Sequence, residues 1–187
     1  MDILAHGLWT AAALTVASRH TTITPAAARV TVAAAIAPDI VHALPLLLWS
    51  VLDGQSPLQL LIAYGVAWPG QEPWLPPSVE SISHHLHCLA HSAMAAGAVT
   101  LMCLCTLRKI PLLLYGWWSH IVIDVFTHSA DFYPAPVLYP LSDWTFDGVA
   151  WNAPAVLLAN YMVLAAAWAW VLQGRHSSAQ PGGHRFD

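Results

Sequence analysis

Three ionisable side chains interrupt the apolar run between residues 110 and 128: His120, Asp124 and His128. On an α-helix, residues spaced by four lie within about 80° of one another over two steps, so the three side chains would share one stripe. Two ionisable groups one turn apart in an apolar helix cost several kcal/mol unless they are paired or bind a ligand. The pair of His120 and Asp124 is therefore a candidate functional site.

Further ionisable residues occur in other apolar stretches. They are His6 in LAHG, Asp39 and His42 in APDIVH, and His84, His85, His87 and His91 in HHLHCLAHS. A single histidine of this kind is explained as readily by a hydrogen bond between helices as by a ligand role. Asp39 follows Pro38, and its carboxylate could instead cap backbone groups that a proline leaves unpaired.

The composition indicates that these residues belong to a membrane protein. Of the 187 residues, 57% are hydrophobic and only 9% are charged, which is outside the usual range for a soluble domain. Five apolar stretches approach the ~20 residues that cross a bilayer core. They cover roughly residues 3–18, 26–52, 86–107, 110–127 and 153–172. The sequence thus predicts an all-α integral membrane bundle of about five transmembrane helices.

The charged residues predict an orientation in the inner (cell) membrane. The basic residues are Arg19, Arg29, Arg108, Lys109, Arg175 and Arg185. With five spans they share one side, which the positive-inside rule makes cytoplasmic. The N-terminus and two long loops, residues 53–85 and 129–152, would then lie outside. Residues 1–172 form the predicted membrane domain, and residues 173–187, which lack an apolar period, form a predicted disordered cytoplasmic tail.

The same charges exclude one class of partner. The net charge is -4, and the six Lys and Arg residues are scattered. No basic face is available to neutralise a nucleic-acid backbone, so we expect no nucleic-acid binding. The expected partners are the lipid bilayer and a small-molecule or lipid-like substrate.

The candidate site residues converge in depth. Counting about 1.5 Å per residue from the basic residues places them all in the outer half of the membrane or at its outer surface. They are His6, Asp39, His91, His120, Asp124 and His128. Imidazole and carboxylate ligands from facing helices hold metal ions in helix bundles, and mixed sets suit zinc, manganese or iron. We expect one or two divalent ions, with zinc favoured. Such an ion can activate water for attack on an ester or phosphoester.

Several short motifs carry a resemblance to a known family. At LAHG, PDIVH, LAHS, SHIVIDVFTHS and YPLSDWTFDG the chain resembles the LexA-regulated, membrane-bound, predicted metal-dependent hydrolases. The family pattern falls here on Asp2 and His6, Pro38 and Asp39, His91 and Ser92, His120 and Asp124, and Pro140. The His-x-x-x-Asp helix is also similar to the metal-binding helix of zinc-dependent phospholipases C. The resemblance covers most of the chain and implies a metal-dependent hydrolase without naming a substrate.

Residues and resemblance together give a specific hypothesis. The predicted metal ligands are His6, Asp39, His91, His120 and Asp124. His87 and His128 are predicted acid–base groups or further ligands, because a histidine that titrates near neutral pH can protonate a leaving group.

Three alternatives stay open. A membrane haem protein would use histidines of facing helices as axial ligands, but this leaves Asp39 and Asp124 unexplained. A divalent-metal transporter also uses intramembrane histidine and aspartate, but the cytoplasmic half offers no ionisable pathway. A non-catalytic membrane scaffold would keep any bound metal when His120 or Asp124 is replaced.

Overall fold

The computed structural model describes residues 1–68 and 70–178, and the regular elements of this part of the chain are all helices. They are α1 Ile3–Ala17, α2 Pro25–Leu52, α3 Pro57–Val66, α4 Pro77–Ala90, α5 Ala93–Leu107, α6 Leu112–Thr127 and α7 Pro154–Ser178. The predicted all-α class is confirmed.

The described helices include fewer complete membrane spans than predicted. Only α2, with 28 residues, and Pro154–Gly174 of α7, with 21, are individually long and apolar enough to cross a membrane. Helices α4 and α5 qualify together but meet at a bend of 56°. With 15 and 16 residues, α1 and α6 fall short of the ~20 that a span requires. The five predicted spans are thus corrected to two or three, because apolar length alone does not reveal where a helix ends. The predicted orientation stays a prediction.

The break between α4 and α5 lies at His91 and Ser92. His91 is the C-cap of α4, and Ser92 is the N-cap of α5, where its side chain accepts a hydrogen bond from the Ala95 amide. The Ser92 hydroxyl also donates to the carbonyl oxygen of Tyr139 at 2.6 Å. A serine that satisfies the first free amide of a helix favours a new start at this point. The break leaves His91 fully buried.

The two predicted outer loops differ from each other in structure. Residues 53–85 are not a loop throughout, because they contain α3 and the first part of α4. Both helices begin at a proline, whose fixed φ and missing N–H suit the first helical turn. Residues 129–152 contain no helix. This second loop is anchored to the end of α6, since the amides of Gly148 and Val149 donate to the carbonyl oxygens of His128 and Phe126 at 2.9 and 3.0 Å.

Helix α2 is the centre of the fold and contacts α1, α3, α4 and α6. Helices α2 and α6 lie against each other at Gly116. A Cβ added there would overlap the carbonyl oxygen of Thr31 and lie 3.1 Å from the Ala35 amide nitrogen. Glycine therefore lets the two backbones approach. His120 follows one turn later and donates from Nδ1 to the Ala35 carbonyl oxygen at 2.8 Å.

The predicted tail begins inside a helix. Helix α7 continues to Ser178, beyond the predicted boundary at residue 172, and the rest of the tail, residues 179–187, lies outside the described residues. Arg19 connects the end of α1 to this helix. Its guanidinium donates to the Val171 carbonyl oxygen at 2.9 Å and lies 4.9 Å from the centre of the Trp170 ring.

Candidate metal centre

Four side chains from α2, α6 and the end of α4 meet in the interior. One ligand atom from each of Asp39, His91, His120 and Asp124 can be chosen so that all four lie within 4.8 Å of one another. His91, His120 and Asp124 are fully buried, whereas the Asp39 side chain is 15% exposed. The group could hold a metal ion, and Asp39 is its one accessible member.

The distances suit a first-row metal ion. The Nε2 atoms of His91 and His120 are 3.0 Å apart, and they lie 3.2 and 3.1 Å from Oδ2 of Asp124. Oδ1 of Asp39 is 3.7 Å from each of these nitrogens. Metal–ligand bonds of about 2.1 Å in a tetrahedron separate the ligand atoms by about 3.4 Å. The four atoms therefore lie near the separation that one ion would impose.

Backbone hydrogen bonds orient both imidazoles toward this point. His120 Nδ1 donates to the Ala35 carbonyl oxygen, and His91 Nδ1 donates to the His87 carbonyl oxygen, each at 2.8 Å. Because each Nδ1 donates to a carbonyl oxygen, Nε2 is the ring atom that faces Asp124, and it can bind a metal ion when it carries no proton. If neither Nε2 is protonated, the two lone pairs and the carboxylate repel one another. A proton or a metal ion at this position would remove that repulsion.

His6 contacts the opposite side of the Asp124 carboxylate. Its Nε2 lies 2.9 Å from Oδ1 of Asp124, and its ring stacks on that of His120 with centroids 3.9 Å apart. His6 is fully buried. It lies outside the group of four ligand atoms, so the structure places it beside the centre, and its predicted role as a ligand stays a prediction.

His128 also approaches Asp124, but not as the third member of a helical stripe. Helix α6 ends at Thr127, and His128 is an extended C-cap with φ −117°, which corrects the predicted helical spacing. Its Nε2 nevertheless lies 3.5 Å from Oδ1 of Asp124, and its Nδ1 donates to the Tyr133 carbonyl oxygen at 2.5 Å. The Met1 amino group donates to the same Asp124 oxygen and lies 3.1 Å from His128 Nε2. Sequence reasoning missed this amine, which has no pattern that could reveal it.

The remaining histidines separate into two groups. The ring of His87 lies 4.1 Å from that of His91 and 5.3 Å from that of His42, so both extend the cluster of imidazoles outward from the centre. His84 and His85 are exposed. His85 pairs with the Tyr139 hydroxyl at 2.8 Å, and neither residue joins the centre.

Asp2 and Glu72 are acidic residues near the centre whose surroundings the sequence did not reveal. Asp2 caps α1 by accepting a hydrogen bond from the Ala5 amide at 2.9 Å, and it accepts a second from the Tyr161 hydroxyl at 2.8 Å. Glu72 accepts a hydrogen bond from the Tyr133 hydroxyl at 2.8 Å. Both acids line a cavity of about 600 Å³ that also reaches Asp39, His87 and His128.

Comparison with known proteins does not identify a family for this chain. The chain matches no protein-family profile, no curated protein and no solved structure. The resemblance to LexA-regulated membrane hydrolases therefore stays a prediction, and what can be said of the centre comes from its own geometry: a buried group of two imidazoles and two carboxylates that could bind a metal ion.

Proposed function

We propose that the protein is a membrane-bound metal-dependent hydrolase that cleaves an ester or phosphoester of a lipid-like or amphiphilic substrate. The observation that carries the proposal is the orientation of the two Nε2 atoms at the centre. Both are fixed by Nδ1 hydrogen bonds to backbone carbonyl oxygens and point at Asp124. When both rings are neutral, the two nitrogens and the carboxylates form a set of lone pairs that could bind a metal ion.

Asp39, His91, His120 and Asp124 are the residues that would hold the ion. Zinc is the favoured metal for this set of nitrogen and oxygen ligands, and manganese or iron also suits it. The bound ion would act as a Lewis acid on the scissile group, and a water molecule taken up as a fifth ligand would have a lowered pKa. His6 would orient Asp124 through its contact with Oδ1, as partners of metal ligands commonly do.

Two histidines are placed to move protons. The Nδ1–H group of His128 donates a hydrogen bond to the Tyr133 carbonyl oxygen. Its Nε2 atom could then accept a proton and return it. His87 and His128 both line the cavity that reaches Asp39. An acid–base group must lie within hydrogen-bond reach of the reacting atoms or one water away, and a substrate bound in this cavity could meet that condition.

A lipid-like substrate fits the surroundings of the centre. Two helices, or three if α4 and α5 form one bent span, are long and apolar enough to cross a membrane. The cavity is lined by apolar side chains such as Leu46 and Leu61 as well as by ionisable ones. An amphiphile could therefore present its polar linkage at Asp39 without leaving the bilayer.

One alternative is disfavoured by distance. A haem iron binds two axial nitrogens on opposite faces of the porphyrin, each at about 2 Å. The Nε2 atoms of His91 and His120 are only 3.0 Å apart, so a porphyrin does not fit between them. The distance does not disfavour a metal transporter or a metal-binding protein without catalysis. Experiment must distinguish these two alternatives from a hydrolase.

The test combines metal content with hydrolysis. Full-length protein is purified in detergent without chelator, and its metals are measured beside His120→Ala and Asp124→Asn. His85→Ala is the control, because it removes an exposed histidine outside the centre. We expect stoichiometric zinc, manganese or iron in the wild type and the control, and hydrolysis of a bis(nitrophenyl) phosphate or nitrophenyl ester that both centre variants lose. Metal without hydrolysis, or metal uptake into vesicles, would contradict the hydrolase.

A further inference from the structure

The cavity beside the metal centre is rich in acidic groups. It has a volume of about 600 Å³ and is lined by residues of α1 to α4 and of the loop after α6. Its acidic residues are Asp2, Asp39, Glu72 and Glu80. None of its lining residues within the described part of the chain is lysine or arginine. The Met1 amino group and four histidines also line it, namely His42, His84, His87 and His128. If Asp39 is assigned to the metal, three carboxylates remain, and the lining offers neither lysine nor arginine to pair with them.

Glu72 is held in place by a neutral partner. The Tyr133 hydroxyl donates to its Oε1 at 2.8 Å. Burial and then the hydrogen bond to Glu72 raise the pKa of Tyr133, so this hydroxyl stays protonated and acts as a donor. A hydrogen bond from a neutral hydroxyl positions a carboxylate without pairing it with an opposite charge. Glu72 is thus a positioned carboxylate at the cavity wall.

Aromatic side chains line the same cavity as Glu72, and Tyr133 and Trp151 are among them. Phe132 is 1% exposed and packs edge to face against both, with centroids 5.1 and 6.0 Å apart, so it supports these rings. Tyr64 lines the same cavity, and its pKa is raised by burial and then by the charges of Glu72 and Glu80. Ring faces combined with a carboxylate are the features that bind ammonium and quaternary ammonium groups.

Buried atoms of the cavity lining also lack partners. Oδ2 of Asp2 and Oδ2 of Asp39 have no hydrogen-bond partner among the described residues. The same holds for Nδ1 of His42 and Nε2 of His87. Buried carboxylate oxygens without a donor are costly. Water or the polar atoms of a bound molecule could supply these missing hydrogen bonds, and a cation suits the carboxylate oxygens among them.

We propose that the cavity binds the cationic end of the substrate, an amine or quaternary ammonium group, with Glu72 as its counter-ion. Tyr133 is a positioning residue that fixes Glu72. The inference rests on the proposed function, because it places the scissile ester or phosphoester at Asp39 and the cation farther out in the same cavity. The substrate class becomes an amphiphile whose polar head carries a positive charge.

The test compares two probes that differ in charge alone. Choline and 3,3-dimethylbutan-1-ol have the same shape, but a carbon replaces the nitrogen in the alcohol. Binding of each to the full-length protein is measured by calorimetry, with protein-free micelles as the blank. We expect choline to bind at least about tenfold more tightly, since a cation held by aromatic rings and a carboxylate gains on the order of one such factor.

Variants assign the preference to its residues. Glu72→Gln should remove most of the choline preference and leave binding of the alcohol unchanged, and Tyr133→Phe should reduce the preference by a smaller factor. Asp53→Asn is the matched control, because Asp53 is an exposed carboxylate outside the cavity, bonded by Gln55 at 2.8 Å. Equal binding of both probes, or a loss in Glu72→Gln that affects both equally, would overturn the proposal.

Two further measurements separate this inference from the proposed hydrolase. Choline binding is repeated after chelation, because the proposed contacts do not include the metal. Metal content and hydrolysis are measured on Glu72→Gln, which should retain its metal. A choline preference in a protein without metal or hydrolysis would overturn the hydrolase alone. Hydrolysis without a choline preference would overturn the cation site alone.

Discussion

The metal centre and the cavity beside it are built in opposite ways. In the centre, helices fix every ligand: His120 and His91 are fully buried, and each is oriented by a hydrogen bond to a backbone carbonyl oxygen. In the outer cavity, Glu72 and Tyr133 come from segments outside the helices and contact each other through a single bond between side chains. The centre is therefore held by buried contacts with the helix backbones, whereas the cavity wall depends on one hydrogen bond between side chains.

The largest effect is expected when a ligand of the centre loses its charge. Asp124→Asn keeps the shape of the side chain but removes the charge that four imidazoles and the Met1 amine surround. We expect loss of the bound metal and a fall in hydrolysis of at least about 100-fold, since a lost ligand exceeds the 10–100-fold effect of a lost outer partner. Elemental analysis and activity measure both, and circular dichroism checks that the helices persist.

The matched control for this change is Asp53→Asn, which neutralises an exposed carboxylate at the end of α2. It should leave metal content and activity unchanged. If Asp124→Asn also kept its metal, the metal would bind elsewhere. The centre and the cavity wall would then not differ in metal binding.

A smaller effect is expected at the edge of the centre. His6→Phe keeps a ring to stack on His120 but removes the nitrogen that lies 2.9 Å from Asp124. Loss of an outer partner commonly weakens metal affinity by about 10–100-fold, and we expect that range by competition with a chelator. His20→Phe, at an exposed position just beyond α1, is the control. A fall in stoichiometry at saturating metal would instead make His6 a ligand, as the sequence predicts.

A substitution between α2 and α6 can destabilise the centre without changing any of its ligands. Gly116→Ala places a methyl group against the Thr31 carbonyl where α2 and α6 cross, and overpacking of this kind costs about 1–3 kcal/mol. Gly97→Ala is a matched control, because an added Cβ there meets no atom within 4 Å. In the control, alanine should be neutral or stabilise α5 by up to about 1 kcal/mol. Thermal unfolding in detergent measures both, and equal melting temperatures would contradict the close crossing.

The two regions also differ in what the sequence could predict. The shared helical face of His120 and Asp124 follows from their spacing, and the structure brings them together with Asp39 and His91. The depth count that also included His6 assumed five spans, of which the described helices support two or three. The described helices include fewer complete spans than the five predicted, because α1 and α6 are shorter than their apolar stretches suggested and the run through residues 86–107 contains the helix break at Ser92. The extended backbone at His128 was missed because apolar periodicity does not mark the last residue of a helix.

The sequence contains no comparable pattern for the residues of the cavity wall. Glu72 and Tyr133 are 61 residues apart in sequence, and neither lies in a periodic segment that would set its direction. Contacts between segments outside regular structure depend on the tertiary fold, and a local pattern does not encode them. The pairing of His120 with Asp124 was predictable because helical periodicity places residues four apart on one face.

The smallest effect should follow a change confined to that wall. Tyr133→Phe removes the hydroxyl that donates to Glu72 at 2.8 Å but keeps the ring that packs on Phe132. A hydrogen bond to a charged group contributes about 1.5–3 kcal/mol, and the partial exposure of Glu72 reduces this because water can replace the donor. We therefore expect a loss of at most about 1 kcal/mol in the free energy of unfolding, with metal content unchanged. Chemical unfolding and elemental analysis of the same preparation measure the two quantities. A variant that lost its metal would show that the wall and the centre form one unit, because no ligand of the centre is bonded to this hydroxyl.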